Sequence, residues 1–392
     1  MAPFAEGYRM ELERLGYRPS SREFKVYEMA RLSQWLERHG LVASDAGASR
    51  EAFLASWKAG GKRAPTLKAL KPLVDWLVAQ RVIEAHRLVP VPHRPVDDVM
   101  DDYRRWMVTD RSLAAATVAR YEATARRFLD SRVGEEGGVT GTEGLGGQAV
   151  TRFLLAEASR GLAPGSLQGR VAELRSLLRF LHLKGLTPAS LAESVPPIPG
   201  WKDTSVPKRL PAAGVKTLVD SCDRTTRTGI RDFAMLVVLA RLGLRAAEVA
   251  GLELDDLNWR AAEMVVRGKA RREDRLPIPV DVGEALSEYL VKARPRVDSR
   301  VVFLTVAAPP RPMWSTAVSQ MVWRQCIRAG VPPVRAHRLR HALATELLDR
   351  GVALPEIAQV LRHRDLATTA VYAKVDHSAL REIALPWPAV SR

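Results

Sequence analysis

AHRLRHALATELLDRGVALPEIAQVLRHRDLATTAVYAKVD, residues Ala336–Asp376, packs three histidines, several arginines and one tyrosine into a run of helical periodicity. His337 and Arg340 lie three residues apart and His341 lies four beyond His337, so all three share one helix face. His363 falls in a short turn after a helix that ends near Leu361. Tyr372 follows nine residues after His363, on a further helix whose start is marked by Thr368 and Thr369.

Two chemistries compete for this set. The i, i+4 histidine pair has the spacing of a zinc-protease helix, but Arg338 stands where that motif needs its glutamate. Arg338 and Arg340 would also place positive charge beside a cation, so metal binding is disfavoured. Any one of these histidines alone reads most simply as a cap or a surface residue. Taken together, the residues suit transfer of a phosphodiester to a tyrosine hydroxyl. Such a phosphate gathers negative charge on its nonbridging oxygens, and prepositioned arginine forks neutralise it. Tyrosine can be the nucleophile, but its hydroxyl is protonated at neutral pH and needs a base or cations beside it.

The pattern HRLRH, then LRHRDLATT, then Tyr372 resembles the C-terminal signature of the tyrosine recombinases, the phage-integrase family. Upstream, ARLGLRAAEVAGLELDDL resembles the family's first-arginine box, with Arg245 as that arginine and Glu248 as its acidic supporter. RGKARREDRLPIPV resembles the β-hairpin box, with Lys269 as its lysine. The resemblance covers residues 207–385. It implies that Tyr372 attacks the scissile phosphate, leaving a 3′-phosphotyrosyl link and a free 5′-hydroxyl. It implies that Arg245 and Arg340 clamp the nonbridging oxygens and that Lys269 protonates the leaving oxygen. His337 would assist proton transfer with Tyr372, and His363 would hydrogen-bond the phosphate. It implies no cofactor and no metal, because the covalent link conserves the phosphodiester energy.

Two positions depart from the family pattern. Arg362 stands where the family has glycine before the second histidine. If that turn needs a positive φ, the arginine is strained there, although it could add a phosphate contact. The hairpin reads GKARRED, with Ala270 in place of a usual glycine and one residue inserted, so Arg271 or Arg272 competes with Lys269. The spacing of 24 residues from Arg245 favours Lys269.

The rest of the chain fits a nucleic-acid enzyme. Of 392 residues, 46% are hydrophobic and 27% charged, which suits a folded globular protein. Sixty Lys+Arg against forty-four Asp+Glu give +16, which favours a polyanionic partner. Between 301 and 364 all nine basic residues are arginine, the side chain suited to bidentate phosphate contacts, although a GC-rich genome would produce the same bias. Cys222 and Cys326 form no CxxC pair, so neither a disulfide scaffold nor a structural zinc site is expected. There is no signal-peptide core and no apolar run near the ~20 residues of a membrane span, so the expected location is cytoplasmic. The glycine-rich stretch Val133–Gln148 lacks a preceding strand and a GK[ST] ending, so it reads as a flexible surface loop rather than a phosphate cradle.

Proline-rich stretches at Leu88–Asp98 and Val195–Pro211 divide the chain into about 1–88, 97–195 and 207–392. The first two segments show amphipathic helical periodicity, either a duplicated unit or the pattern common to any two bundles. The third is mixed, with a hairpin signal at Ala262–Val280. The expected fold is mainly α with a small β-hairpin or sheet. The resemblance makes 97–195 a helical core-binding (SAM-like) domain and 207–392 a mixed α+β catalytic domain, with 1–88 an extra helical domain. It implies a site-specific recombinase of double-stranded DNA, a homotetramer on paired sites, serving integration, excision or transposition of a mobile element with accessory or directionality factors. Replicon-dimer resolution, type IB-like relaxation and a non-catalytic DNA-binding relative are the alternatives.

Overall fold

A computed structural model describes residues 1–59, 66–83, 93–134, 137–162, 164–196, 210–268 and 272–362. It is mainly helical with one small antiparallel sheet, as the periodicity predicts. The chain forms two compact units, one combining Met1–His86 with Ser205–Arg392, the other spanning Arg87–Thr204.

The first unit opens with helices α1 (Ala5–Arg14), α2 (Pro19–Arg38), α3 (Arg50–Ala59) and α4 (Leu67–Ala79). Pro19 starts α2, where its missing N–H costs nothing and its fixed φ suits the helix. The Thr66 hydroxyl caps α4 by accepting from the Ala69 N–H at 3.2 Å. Apolar residues at three- and four-residue spacing, among them Leu12, Leu32, Leu36, Leu70, Leu73 and Leu77, close a core of their own.

The second unit holds α5 (Pro95–Thr109), α6 (Ala115–Asp130), α7 (Gly147–Ser159) and α8 (Pro164–Leu183) around Tyr103, Phe128, Leu174 and Leu178. Buried Glu173 accepts from Arg170 Nη1 and from the Thr124 hydroxyl, at 2.8 and 2.6 Å, so its charge enters the core already paired. The glycine-rich stretch departs from the loop expected of it. Arg132 is buried and donates to the carbonyls of Gly141 and Glu143 at 2.9 and 2.7 Å. Gly141 sits at φ +75°, and a Cβ there would lie 2.5 Å from the Leu129 carbonyl oxygen. These glycines therefore permit a tight wrap around a buried guanidinium rather than flexibility.

The remainder of the first unit carries α9 (Ala212–Asp220), α10 (Arg227–Leu242) and α11 (Ala246–Ala250). Strands β1 (Leu257–Asn258), β2 (Glu263–Arg267) and β3 (Glu273–Pro277) follow. Then come α12 (Val280–Glu288), α13 (Ser315–Arg328), α14 (His337–Asp349) and α15 (Leu354–Val360). Helix α10 is apolar on nearly every face from Phe233 through Leu239, after a buried Arg231–Asp232 ion pair, and lies at the centre with α9, α12, α13 and α14 packed on it. The sheet runs in the order β1-β2-β3, with Met264 opposite Leu276 and Arg267 opposite Glu273. Met264 and Val266 alternate into the core, which fixes the register of the hairpin.

Leu242 ends α10, and Gly243 follows in the left-handed region at φ +58°. A Cβ on Gly243 would stand 2.9 Å from Leu361 Cδ2 and 3.0 Å from Leu343 Cδ2. Backbone and packing both demand glycine here. Gly243→Ala is expected to cost about 1–3 kcal/mol of stability, through strain alone. A thermal melt that does not fall would refute this account of the turn.

Candidate active site

The turn at Gly243 leads directly into Arg245, the N-cap of α11. Three residues on, the Glu248 carboxylate reaches back and accepts from the Arg245 backbone N–H at 2.8 Å. Its other oxygen accepts from Arg245 Nη1 at 2.7 Å. Glu248 is 4% exposed at its side chain, whereas the Arg245 side chain keeps 43%, so a buried acid steers a guanidinium that still faces solvent.

A second guanidinium meets the same acid. Arg362, just beyond α15, donates from Nη2 to Glu248 Oε2 at 2.8 Å and is itself 6% exposed. Its backbone φ is +55°, the left-handed conformation that glycine adopts without strain. Its Nε and Nη1 are buried with no partner among the described residues. The positive φ that the family's glycine suggested is therefore present. The side chain's destination, Glu248, was not visible in the local sequence, which gave only an arginine where glycine was usual.

Burial pushes the Glu248 carboxyl upward, but the Arg245 N–H, the Arg362 charge and the Arg245 guanidinium outweigh it and hold the group below the ordinary glutamate value. Glu248 therefore stays ionised at neutral pH.

Arg340, on the first turn of α14, is fully buried. It donates from Nη1 to the Gly243 carbonyl at 2.7 Å and from Nη2 to the Leu361 carbonyl. One side chain thus ties the turn before Arg245 to the turn that carries Arg362. His337 opens α14 on the same face, exposed, with its ring edge-on to His341 at 4.4 Å between centroids. Partial desolvation, then the charges of Arg340, Arg245 and Arg338, pull its pKa below the ordinary histidine value. The imidazole is neutral at pH 7.

The hairpin turn joins this group from the other side. The Gly268 N–H donates to the Arg272 carbonyl at 2.7 Å, closing the loop between β2 and β3. A Cβ on Gly268 would come within 4.0 Å of Glu248 Oε1. Lys269 is the next residue, but it lies outside the described residues, as do Arg271, His363 and Tyr372. The structure therefore brings together Arg245, Glu248, His337 and Arg340 of the seven residues singled out in the sequence. It adds Gly243, whose signal was a glycine just past an apolar helix, and Arg362. Among the described residues no cluster of His, Cys, Asp or Glu could hold a metal ion.

Residues 208–379 match the phage integrase family. The chain is 38% identical over 391 residues to the integrase/recombinase homologue y4rA of Sinorhizobium fredii (strain NBRC 101917 / NGR234), covering 98% of this chain and 93% of that protein. The chain belongs to the phage integrase family of tyrosine recombinases. The tyrosine recombinase XerD of Listeria innocua serovar 6a is 27% identical over 293 residues, 74% of this chain and 97% of its own. In structure, the recombinase matches a lambda integrase (75–356) dimer bound to a COC′ core site with a TM-score of 0.55 and 13% identity, over 75% of this chain and 99% of that one, which shows a shared fold.

Two measurements follow from the charge arrangement. The His337 ring protons are expected to titrate by NMR below an exposed histidine's midpoint. Arg245→Gln should move that midpoint upward, since it removes a neighbouring positive charge. A midpoint unmoved by the substitution would refute the coupling. Arg362→Gly should relieve backbone strain equally at every pH, yet weaken the hold on the ionised Glu248. Because Glu248's folded pKa is depressed, its stabilisation is present above the unfolded carboxyl's pKa and fades as pH falls through the folded one. The variant's melting temperature relative to the native chain should therefore be poorest near neutral pH and improve in acid. A pH-independent difference would sink the pairing.

Proposed function

We propose that this chain cuts and rejoins duplex DNA through a transient 3′-phosphotyrosyl bond at Tyr372. The Tyr372 oxygen attacks the scissile phosphorus, the bond to the 5′-oxygen breaks, and Lys269 supplies the proton that oxygen needs. His337 takes the proton leaving Tyr372, a role that suits an imidazole kept neutral at working pH. Arg245, aimed by Glu248, holds one nonbridging oxygen, with His363 as a further partner, while buried Arg340, its guanidinium on the Gly243 and Leu361 carbonyls, braces the turns beside Arg245 and Arg362. Rejoining is the same sequence reversed. The phosphodiester energy is kept in the covalent link, so no ATP is required.

The observation that carries this reading is the Glu248 hub. A buried acid fixes a solvent-facing arginine beside a neutral histidine, and the β2–β3 turn opens at Gly268 alongside. The task we propose is integration, excision or transposition of a mobile element, with tetramers assembling on paired sites. The match to y4rA along 98% of the chain, amino-terminal helices included, supports this task. Replicon-dimer resolution by the same chemistry is the runner-up.

Covalent trapping on nicked suicide duplexes drawn from the gene's flanks tests the proposal. The native chain should form an SDS-resistant protein–DNA adduct without added metal, and Tyr372→Phe should form none. Arg245→Ala should slow adduct formation by about 10²–10³-fold, the usual effect of removing one oxyanion partner. DNA binding with no adduct across a genomic substrate library would favour a non-catalytic relative instead.

A further inference from the structure

The amino-terminal helices lie outside the residues matched to the family, and they contain a built groove. Helix α2 presents Arg31, Trp35, Arg38 and His39 at helical spacing, and α3 brings Phe53 and Trp57 against them around a cavity of about 300 Å³. The Arg31 guanidinium sits 4.8 Å over the Trp57 ring, and His39 stacks on Trp35 at 4.1 Å. His39 Nδ1 is 2.7 Å from the Trp35 carbonyl oxygen, so this nitrogen carries its proton and donates, which fixes the ring against the indole.

Two independent observations bear on what this groove could take. First, the indole Nε1–H groups of Trp35 and Trp57 are both buried and meet no acceptor among the described residues. A buried indole N–H ordinarily finds a partner. Second, Arg31 and Arg38 have no carboxylate partner among the described residues, although Arg9 and Arg14 on α1 and Arg22 on α2 each have one. Among the described residues no acid lines the cavity. Two cations and two unused donors, walled by aromatic rings, call for a compact group that only accepts hydrogen bonds and carries negative charge.

We propose that this groove seats a backbone phosphate of duplex DNA, giving the amino-terminal helices their own grip on the substrate. The choice of duplex DNA as the source of the phosphate rests on the recombinase reading above. The local sequence agrees with a polyanion, since residues 52–74 carry five basic side chains and no acidic one.

The test uses the full chain and a fluorescein-labelled duplex of random sequence, with affinity followed by anisotropy across a salt series. Arg31→Ala with Arg38→Ala should make the slope of log affinity against log salt shallower by about 0.9, for the one phosphate charge no longer neutralised. Arg9→Ala with Arg14→Ala removes the same charge from ion-paired sites and should leave the slope in place. Trp57→Phe keeps an aromatic ring but removes the N–H, and should weaken binding roughly tenfold with an unchanged melting temperature. A slope equal to the native chain's overturns the proposal, as does one shifted equally in the control pair. A defect confined to single-stranded RNA also overturns it. Adduct formation is scored separately on the same proteins. An intact adduct with an unmoved slope defeats the groove alone, and a moved slope without any adduct defeats the recombinase reading alone.

Discussion

The carboxylate of Glu248 is the constraint on which the rest of the site depends. It accepts one backbone N–H and two guanidiniums, from residues that lie on either side of the catalytic fold in sequence. A buried carboxylate without partners would be several kcal/mol too costly to keep charged. Here each partner that makes the charge tolerable is also a group the site must orient. The acid's solvation problem and the arginine's aiming problem thus have one solution.

Arg340 plays a comparable part through the backbone. Its guanidinium bridges two carbonyls at turns where the helical ladder has ended and acceptors stand open. The turn at Gly243 can accept this bridge only because glycine lets the chain pass beneath Leu343 and Leu361. Apolar packing, left-handed backbone and a buried cation are therefore interdependent at one point. Partial burial first, and then the same positive charges, lower the pKa of the histidine beside them.

Much of this was legible in the sequence, and the reasons differ by residue. His337 and Arg340 were legible because helical spacing of three and four is a local property. The hairpin was legible because alternation in Glu263–Arg267 and the breakers around it are local too. Arg245 and Glu248 were found through the resemblance to the family's first-arginine box, whose spacing fits the one-turn cap that joins them. Arg362 was noticed as an oddity, but its partner lies 114 residues away, and no local pattern encodes such a pairing. The glycine-rich stretch misled for the opposite reason. Its composition is that of a linker, and only the buried guanidinium of Arg132, which gathers two of the stretch's own carbonyls, reveals the turn. Trp35 and Trp57 carry no local signal, because an unused N–H is invisible until burial and partners are known.

The bridge from Arg340 to the Gly243 carbonyl spans 97 residues of chain. Pairings of such separation close late, since a long loop must be ordered before they return anything. A ribosome therefore releases Arg245 well before it releases Arg340, so the emerging polypeptide carries the arginine and its acid before the guanidinium that braces their turn.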